Sequence, residues 1–178
     1  MTGATGKLNR ILVGTDGSPQ SRAALDWAIG IAGPLEAEVI VVYALPQPSA
    51  AEYGYGFNGW LPPELDPKWQ AEMKDLFESE WCAALDRSGL RSRKLMEAGR
   101  PATVIAAVAD RVEADLVVVG RRGRGGVAEL LLGSVSQELS HHCNHPVVLI
   151  SMPKHQVAAL SEAVKGACDT GSTLPVGA

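Results

Sequence analysis

The sequence predicts an α/β fold with a five-stranded, doubly wound parallel sheet and helices on both faces. Apolar segments and amphipathic segments alternate along the chain in the order β-α-β-α-β-α-β-α-β. The strand segments are nearly continuous apolar runs, which is typical of parallel strands buried on both faces. Glycine-bearing turns follow the first and fourth strands, at the sheet edge where such folds bind ligands.

The first unit is a strand over Arg10 to Thr15, followed by the turn Asp16-Gly17. Ser18-Pro19 predicts the start of a helix, because serine is a good N-cap and proline suits the first helical position. Apolar residues continue at helical spacing until Gly33-Pro34, where we expect the helix to stop. Glu38 to Leu45 is rich in β-branched residues and predicts the second strand.

The middle of the chain begins with an insertion, Pro46 to Pro67, whose prolines and aromatic residues predict a long irregular loop. Lys68 to Arg87 carries a helical apolar stripe, and Gly89 ends it. Arg91 to Ala98 predicts an edge strand, since charges interrupt it. The spacing also predicts that three tryptophans belong to the core: Trp27, Trp69 and Trp81.

The last two units repeat the pattern. A helix opens at Gly99-Arg100-Pro101 and is followed by an apolar strand, Asp115 to Gly120. A glycine-rich loop runs from Gly120 to Gly133. A further helix over Ser134 to His142 and a final strand over Pro146 to Ser151 complete the sheet.

The 178 residues suit one domain, which we place at residues 10–152 with the insertion at 46–67. Residues 1–9 are predicted to be a flexible N-terminus, and 153–178 a C-terminal tail that is partly disordered. Those first nine residues lack the apolar segment of a signal peptide, which points to the cytoplasm. The three cysteines are odd in number and far apart, as expected for reduced thiols.

Composition also bears on partners. The formal net charge of −4 disfavours nucleic acid or an anionic membrane as the main partner. No apolar run approaches the ~20 residues that a membrane-spanning helix needs. We therefore expect no nucleic acid and no membrane among the partners.

The glycine-rich loop has the chemistry of a phosphate site. Glycines let the backbone approach a ligand, and successive N–H groups form an anion nest. The helix that starts at Ser134 adds free N–H donors and the positive end of its dipole. Ser134 and Ser136 offer hydroxyls, and the same segment supplies three cationic side chains: Arg121, Arg122 and Arg124. An alternative remains, because Ser134-x-x-Gln137 also fits a capping box that needs no ligand.

The spacing G-x2-G-x9-G-S, formed by Gly120, Gly123, Gly133 and Ser134, resembles the ATP-binding pattern of the universal stress proteins. The similarity extends from Arg10 to about Met152 and includes ILVGTDGS, DLVVVG and HPVVLI. It implies the adenine nucleotide alpha hydrolase-like fold, ATP or another adenine nucleotide with Mg²⁺, and a role in stress response. It also implies a homodimer through the last strand, Val147–Ile150, an apolar sheet edge.

The resemblance further implies site residues by position. Asp16 matches the aspartate near the nucleoside and the metal ion, although an aspartate in a turn also serves as a plain cap. Ala44 matches the residue whose backbone meets the adenine. The phosphate and ribose positions are matched by the glycine loop and the helix after it: Gly120, Arg121, Gly123, Gly133, Ser134, Val135 and Ser136.

Three other functions compete with ATP binding. A cyclic AMP-binding protein of the same fold is one, because a single phosphate fits the same nest. A nucleotide-free interaction dimer is another. An ATP-activating enzyme is disfavoured, since Thr15 to Ser18 is too short and too poor in glycine for the pyrophosphate loop of such enzymes. No nucleophile–base pair stands out, so we assign no catalytic residue and expect at most slow ATP hydrolysis.

Two further groups of residues carry weaker hypotheses. His141, His142, Cys143 and His145 lie close in sequence, but helical neighbours point apart, so we do not expect a metal site. The aromatic residues of the insertion suggest either a lid over the nucleotide or a loop packed on itself: Tyr53, Tyr55, Phe57 and Trp60.

Overall fold

The computed structural model describes residues 7–46, 66–123 and 132–151, and it confirms the predicted fold. Its sheet has five parallel strands in the order β3-β2-β1-β4-β5. The predicted lid at Tyr53 to Trp60, Arg124 and the tail lie outside the described residues. The strands are β1 Arg10–Thr15, β2 Glu38–Leu45, β3 Ser92–Ala98, β4 Leu116–Gly120 and β5 Val147–Ile150.

Helices cover both faces of the sheet, and alternate strand residues point into two separate cores. In β1, Ile11 and Val13 join the core under the first helix, whereas Leu12 joins the core on the opposite face. The helices are α1 Pro19–Leu35, α2 Pro67–Leu76, α3 Ala83–Ser88, α4 Pro101–Val112 and α5 Ser134–His142, with a π turn at Phe77–Trp81. Among the described residues, no helix combines the length and apolarity needed to cross a bilayer.

The predicted end of the first helix at Gly33-Pro34 is wrong, because α1 continues through both residues to Leu35. The helix stops where Glu36 adopts a left-handed conformation with φ of 55°. The Ala37 N–H then donates to the Ala32 carbonyl at 3.1 Å, closing a Schellman motif. Pro34 removes a single N–H donor in the last turn, so the helix tolerates it there.

The helical stripe predicted over Lys68 to Arg87 is confirmed with one difference, because the π turn Phe77–Trp81 interrupts the α-helix. The Cys82 N–H donates to the Phe77 carbonyl, five residues back, at 3.2 Å. The buried residues Phe77, Trp81 and Leu85 are spaced four apart. An α-helix drifts with that spacing, and the wider π turn keeps these side chains on the core.

Burial of the tryptophans differs from the prediction in part. Trp81 is 4% exposed and lies in the core, as predicted. Trp69 is half-buried, and Trp27 is 38% exposed, so the core assignment of Trp27 is wrong. Trp27 lies two positions beyond the buried Leu25, about 200° around the helix, which turns its ring to the outer face.

Candidate functional site

A cavity of about 540 Å³ opens at the carboxyl edge of the sheet, where β1, β2 and β4 end. This is the edge at which parallel α/β sheets bind ligands. The described residues that line it come from the strand ends, the start of α4, the glycine loop and the start of α5: Gly14, Thr15, Asp16, Ser21, Val42, Tyr43, Ala44, Pro46, Pro101, Ile105, Val119, Gly120, Arg122, Gly123, Leu132, Gly133, Ser134, Val135 and Ser136.

One wall of the cavity is apolar. Val42 and Ala44 of β2, Val119 of β4 and Ile105 of α4 form it, and all four are buried. Gly14 also lines this wall, and it packs so closely on the helix that a Cβ there would lie 2.6 Å from Ile105 Cδ1. Such a slot suits a flat, apolar ring face, which backbone groups at the strand end then orient.

The turn between β1 and α1 presents Asp16 at the mouth of the cavity. The Ser18 N–H donates to Asp16 Oδ1 at 3.0 Å, and Gly17 adopts φ of 75°. Ser18 Oγ accepts from the Ser21 N–H at 3.2 Å, which confirms the predicted N-cap. Thr15 Oγ1 donates to Ser21 Oγ at 3.1 Å, so this turn is held by side-chain hydrogen bonds.

The glycines of the loop stand where a side chain would collide with the protein. A Cβ at Gly120 would lie 2.9 Å from the Gln20 carbonyl carbon and 3.0 Å from the Ser21 nitrogen. A Cβ at Gly123 would lie 2.5 Å from Asp16 Oδ2. The loop thus passes close to the start of α1 and brings its backbone beside the Asp16 carboxylate.

Ser134 and Ser136 take different positions at the start of α5. Gly133 is the N-cap, Ser134 is the first helical residue, and no cap bond from a side chain forms, so the capping-box alternative is wrong. Ser134 is exposed on the cavity side. Ser136 is 2% exposed, and its hydroxyl donates to the carbonyls of Gly120 at 2.9 Å and Arg121 at 3.1 Å. This hydroxyl fastens the loop to the helix and leaves only its lone pairs for a ligand.

The two arginines of the described loop differ in position. Arg122 lines the cavity, and its Nε is buried without a hydrogen-bond partner among the described residues. Arg121 lies outside the cavity wall, where its N–H donates to the Ile150 carbonyl at 2.7 Å and its Nη1 to Ser151 Oγ at 3.4 Å. An unpartnered guanidinium donor in a cavity wall is costly unless an anion binds it.

The fold thus brings eight of the nine site residues inferred from the sequence around one cavity, and leaves Arg121 beside β5. The resemblance implied Arg121 as a site residue and not Arg122, because a loop without known conformation gives no direction to either side chain. Tyr43, Pro101 and Ile105 were also missed, although their places on β2 and at the start of α4 put them at the carboxyl edge.

The histidine cluster at the end of α5 is separate from the cavity. His145 Nε2 lies 2.9 Å from Asp110 Oδ1, and its Nδ1 lies 2.7 Å from the Ala114 carbonyl oxygen. Within residues 7–46, 66–123 and 132–151, no group of three histidine, cysteine or acidic side chains is placed to hold a metal ion.

A parallel sheet with helices on both faces and a cavity at its carboxyl edge belongs to the doubly wound class of α/β proteins. The sequence profile of the universal stress protein family matches residues 7–151. The chain therefore belongs to the universal stress protein family. A universal stress protein of Methanocaldococcus jannaschii is 30% identical over 150 residues, which cover 83% of this chain and 84% of the relative.

Solved structures of related proteins agree with the fold. A universal stress protein in complex with cAMP is 27% identical, with a TM-score of 0.59, and the match covers 82% of this chain and 98% of that one. A universal stress protein from Archaeoglobus fulgidus in complex with dAMP is 21% identical, with a TM-score of 0.59, and the match covers 81% and 98%.

Proposed function

We propose that this protein binds an adenine nucleotide, with ATP as the favoured ligand, and acts as a regulatory protein in stress response. The observation that carries the proposal is the guanidinium of Arg122, which lines the cavity and whose buried Nε has no hydrogen-bond partner among the described residues. A phosphate oxygen in the cavity would form a charge-assisted hydrogen bond with this guanidinium. The cAMP and dAMP complexes of related proteins support an adenine ring as the rest of the ligand.

The cavity residues suggest how the ligand would lie. The adenine would occupy the slot beside Val42 and Ala44, where the strand end offers backbone groups to its ring. The phosphates would meet the N–H groups at the start of α5 and the loop backbone at Gly123 and Gly133. Arg122 and Ser134 would contact the phosphate oxygens from the side.

Mg²⁺ fits this arrangement, since it keeps several waters and takes few protein ligands alongside phosphates. Asp16 is the acidic residue among the described lining residues, and it lies next to the Gly123 backbone. Its carboxylate would hold the ion, which would screen the carboxylate from the phosphates. The ion would supply charge neutralisation there, and no residue of the chain is assigned to turnover.

Cyclic AMP is the second candidate ligand, because a related structure at 27% identity contains it. A single phosphate would use the loop and Arg122 without needing a metal ion beside Asp16. Dependence of affinity on Mg²⁺ therefore separates the two candidates.

We further propose a homodimer through β5, in the cytoplasm. The four apolar residues of β5, Val147–Ile150, are all only partly buried in the single chain, although β5 pairs with β4 along one side. A second copy would cover this apolar edge. Sedimentation of the full chain at micromolar concentration tests it, and a monomer there would contradict it.

The test of nucleotide binding is calorimetric titration of nucleotide-stripped protein with ATP, with and without Mg²⁺, and with cAMP. We expect saturable Mg-ATP binding that Arg122→Met weakens about tenfold, the usual size for one charged hydrogen bond. Arg121→Met is the matched control, since it removes the same charge from the same loop outside the cavity. Loss of affinity in Arg121→Met alone would move the phosphate contact to that residue, and no binding in the wild type would refute the proposal.

A further inference from the structure

The π turn Phe77–Trp81 contacts the turn that carries Asp16, although none of its five residues lines the cavity. A π turn is less stable than a continuous α-helix and is found frequently at functional sites. Here its bond from Cys82 to Phe77 replaces the α-helical pattern where the segment passes the start of α1.

The indole of Trp81 packs directly on Gly17. A Cβ at Gly17 would lie 2.2 Å from Trp81 Cε2 and 2.6 Å from its Nε1. Gly17 also has φ of 75°, a conformation that L side chains rarely adopt. The glycine and the indole therefore fit each other, and this contact fixes the peptide that follows Asp16.

A second contact from the π turn reaches the Gly17 carbonyl in the same turn. Arg22 Nε donates to the Gly17 carbonyl at 3.3 Å, and Arg22 Nη2 pairs with Glu80 Oε1 at 2.6 Å. Both side chains of this pair are about half exposed, so the pair itself contributes little to stability. Trp81 is the buried member of the two contacts.

Trp81 also supports the cavity wall from behind. Its ring meets Tyr43 edge-on, with centroids 4.9 Å apart, and Tyr43 lines the cavity. Phe77 touches the same tyrosine at 6.0 Å, but the three atoms nearest to Gly17 all belong to Trp81. Trp81 thus contacts both the cavity wall, at Tyr43, and the Asp16 turn, at Gly17.

We propose that Trp81, held inward by the π turn, is a positioning residue that sets the Asp16 carboxylate for the metal–nucleotide complex. The inference rests on the proposed function and adds a residue that touches neither nucleotide nor metal ion. It predicts that Trp81 acts through Asp16, so the two residues are energetically coupled in ligand binding and not only in folding.

A double-mutant cycle in Mg-ATP affinity tests the coupling, using Trp81→Phe and Asp16→Asn in the full chain. We expect Trp81→Phe to weaken binding about fivefold in the wild-type background and hardly at all beside Asp16→Asn. Phe77→Leu is the matched control, because it removes a buried ring from the same π turn, whereas the atoms nearest to Gly17 belong to Trp81. Equal weakening by Trp81→Phe in both backgrounds would overturn the proposal.

Amide hydrogen exchange in the nucleotide-free protein gives a second readout. The Ser18 N–H, bonded to Asp16 Oδ1, is expected to exchange faster in Trp81→Phe than in Phe77→Leu. Unchanged exchange at Ser18 would overturn the positioning role even if affinity fell. If the wild type binds no nucleotide, both the proposed function and this inference are refuted. If it binds but the effects of Trp81→Phe and Asp16→Asn on affinity are additive, only this inference is refuted.

Discussion

The two ends of the parallel sheet differ in how their polar groups find hydrogen-bond partners. At the amino end, one carboxylate oxygen of Asp115 accepts from the backbone N–H groups of Asn9 at 2.7 Å and Arg10 at 2.9 Å. Arg10 Nη1 donates to the Val112 carbonyl at 2.8 Å and pairs with Glu113. These polar groups therefore find their partners within the protein.

The carboxyl end instead has a cavity, and several of the residues that line it are glycines. The Nε of Arg122 is buried there, and no residue in the described part of the chain accepts a hydrogen bond from it. Unsatisfied polar groups are expensive, so an end that keeps one is better explained by ligand binding than by stability. The comparison separates residues that hold the fold from those that serve the site.

The largest effect is expected from Gly120→Val at the carboxyl end. The new side chain would press on backbone atoms of Gln20 and Ser21, which cannot move aside as a flexible side chain would. We expect about 3 kcal/mol of lost stability or more, together with lost nucleotide binding. Urea denaturation and calorimetric titration measure the two effects, and a variant as stable as wild type would mean that the loop does not pack on α1 as described.

Asp115→Ala at the amino end should have a smaller effect, and it should change stability but not nucleotide affinity. It removes the shared acceptor of two backbone N–H groups, which costs about 1–2 kcal/mol in stability. Nucleotide affinity, measured below the unfolding transition, should stay unchanged because the cavity lies at the other end. A fall in affinity at unchanged stability would show that the two ends are not independent.

The sequence could predict those features that local patterns encode, but not those that depend on how the loop and the π turn pack. Apolar strands and the spacing of Gly120, Gly123 and Gly133 are local patterns, so the fold and the cavity's place could be predicted. The choice between Arg121 and Arg122 could not, because it depends on how the loop turns against β5. The π turn was also missed, since its sequence pattern matches a helix and only packing of Phe77 and Trp81 on the core reveals it.

Cys82 directly follows the π turn and is buried in the core, so its thiol provides a test based on the pH dependence of stability. Burial raises the pKa of its thiol from 9.0 to about 11, with Lys94 opposing the shift. The unfolded chain therefore loses this proton first, and stability should fall as the pH rises from about 9 to 11. Cys82→Ala should flatten that part of the stability curve in urea denaturation, and an identical pH dependence in both proteins would contradict the prediction.

The smallest effect is expected from Gly30→Ala, because Gly30, unlike Gly120, has open space around the position of a Cβ. Gly30 lies inside α1, and a Cβ there would meet nothing within 4 Å. Alanine reduces the conformational entropy of the unfolded chain, so it should stabilise the protein by about 0.5–1 kcal/mol. Thermal unfolding with and without nucleotide checks this: the gain should be the same in both, because Gly30 does not line the cavity. Destabilisation by Gly30→Ala would mean that this outer face of α1 is covered in solution, as the neighbouring exposed Trp27 would then also be.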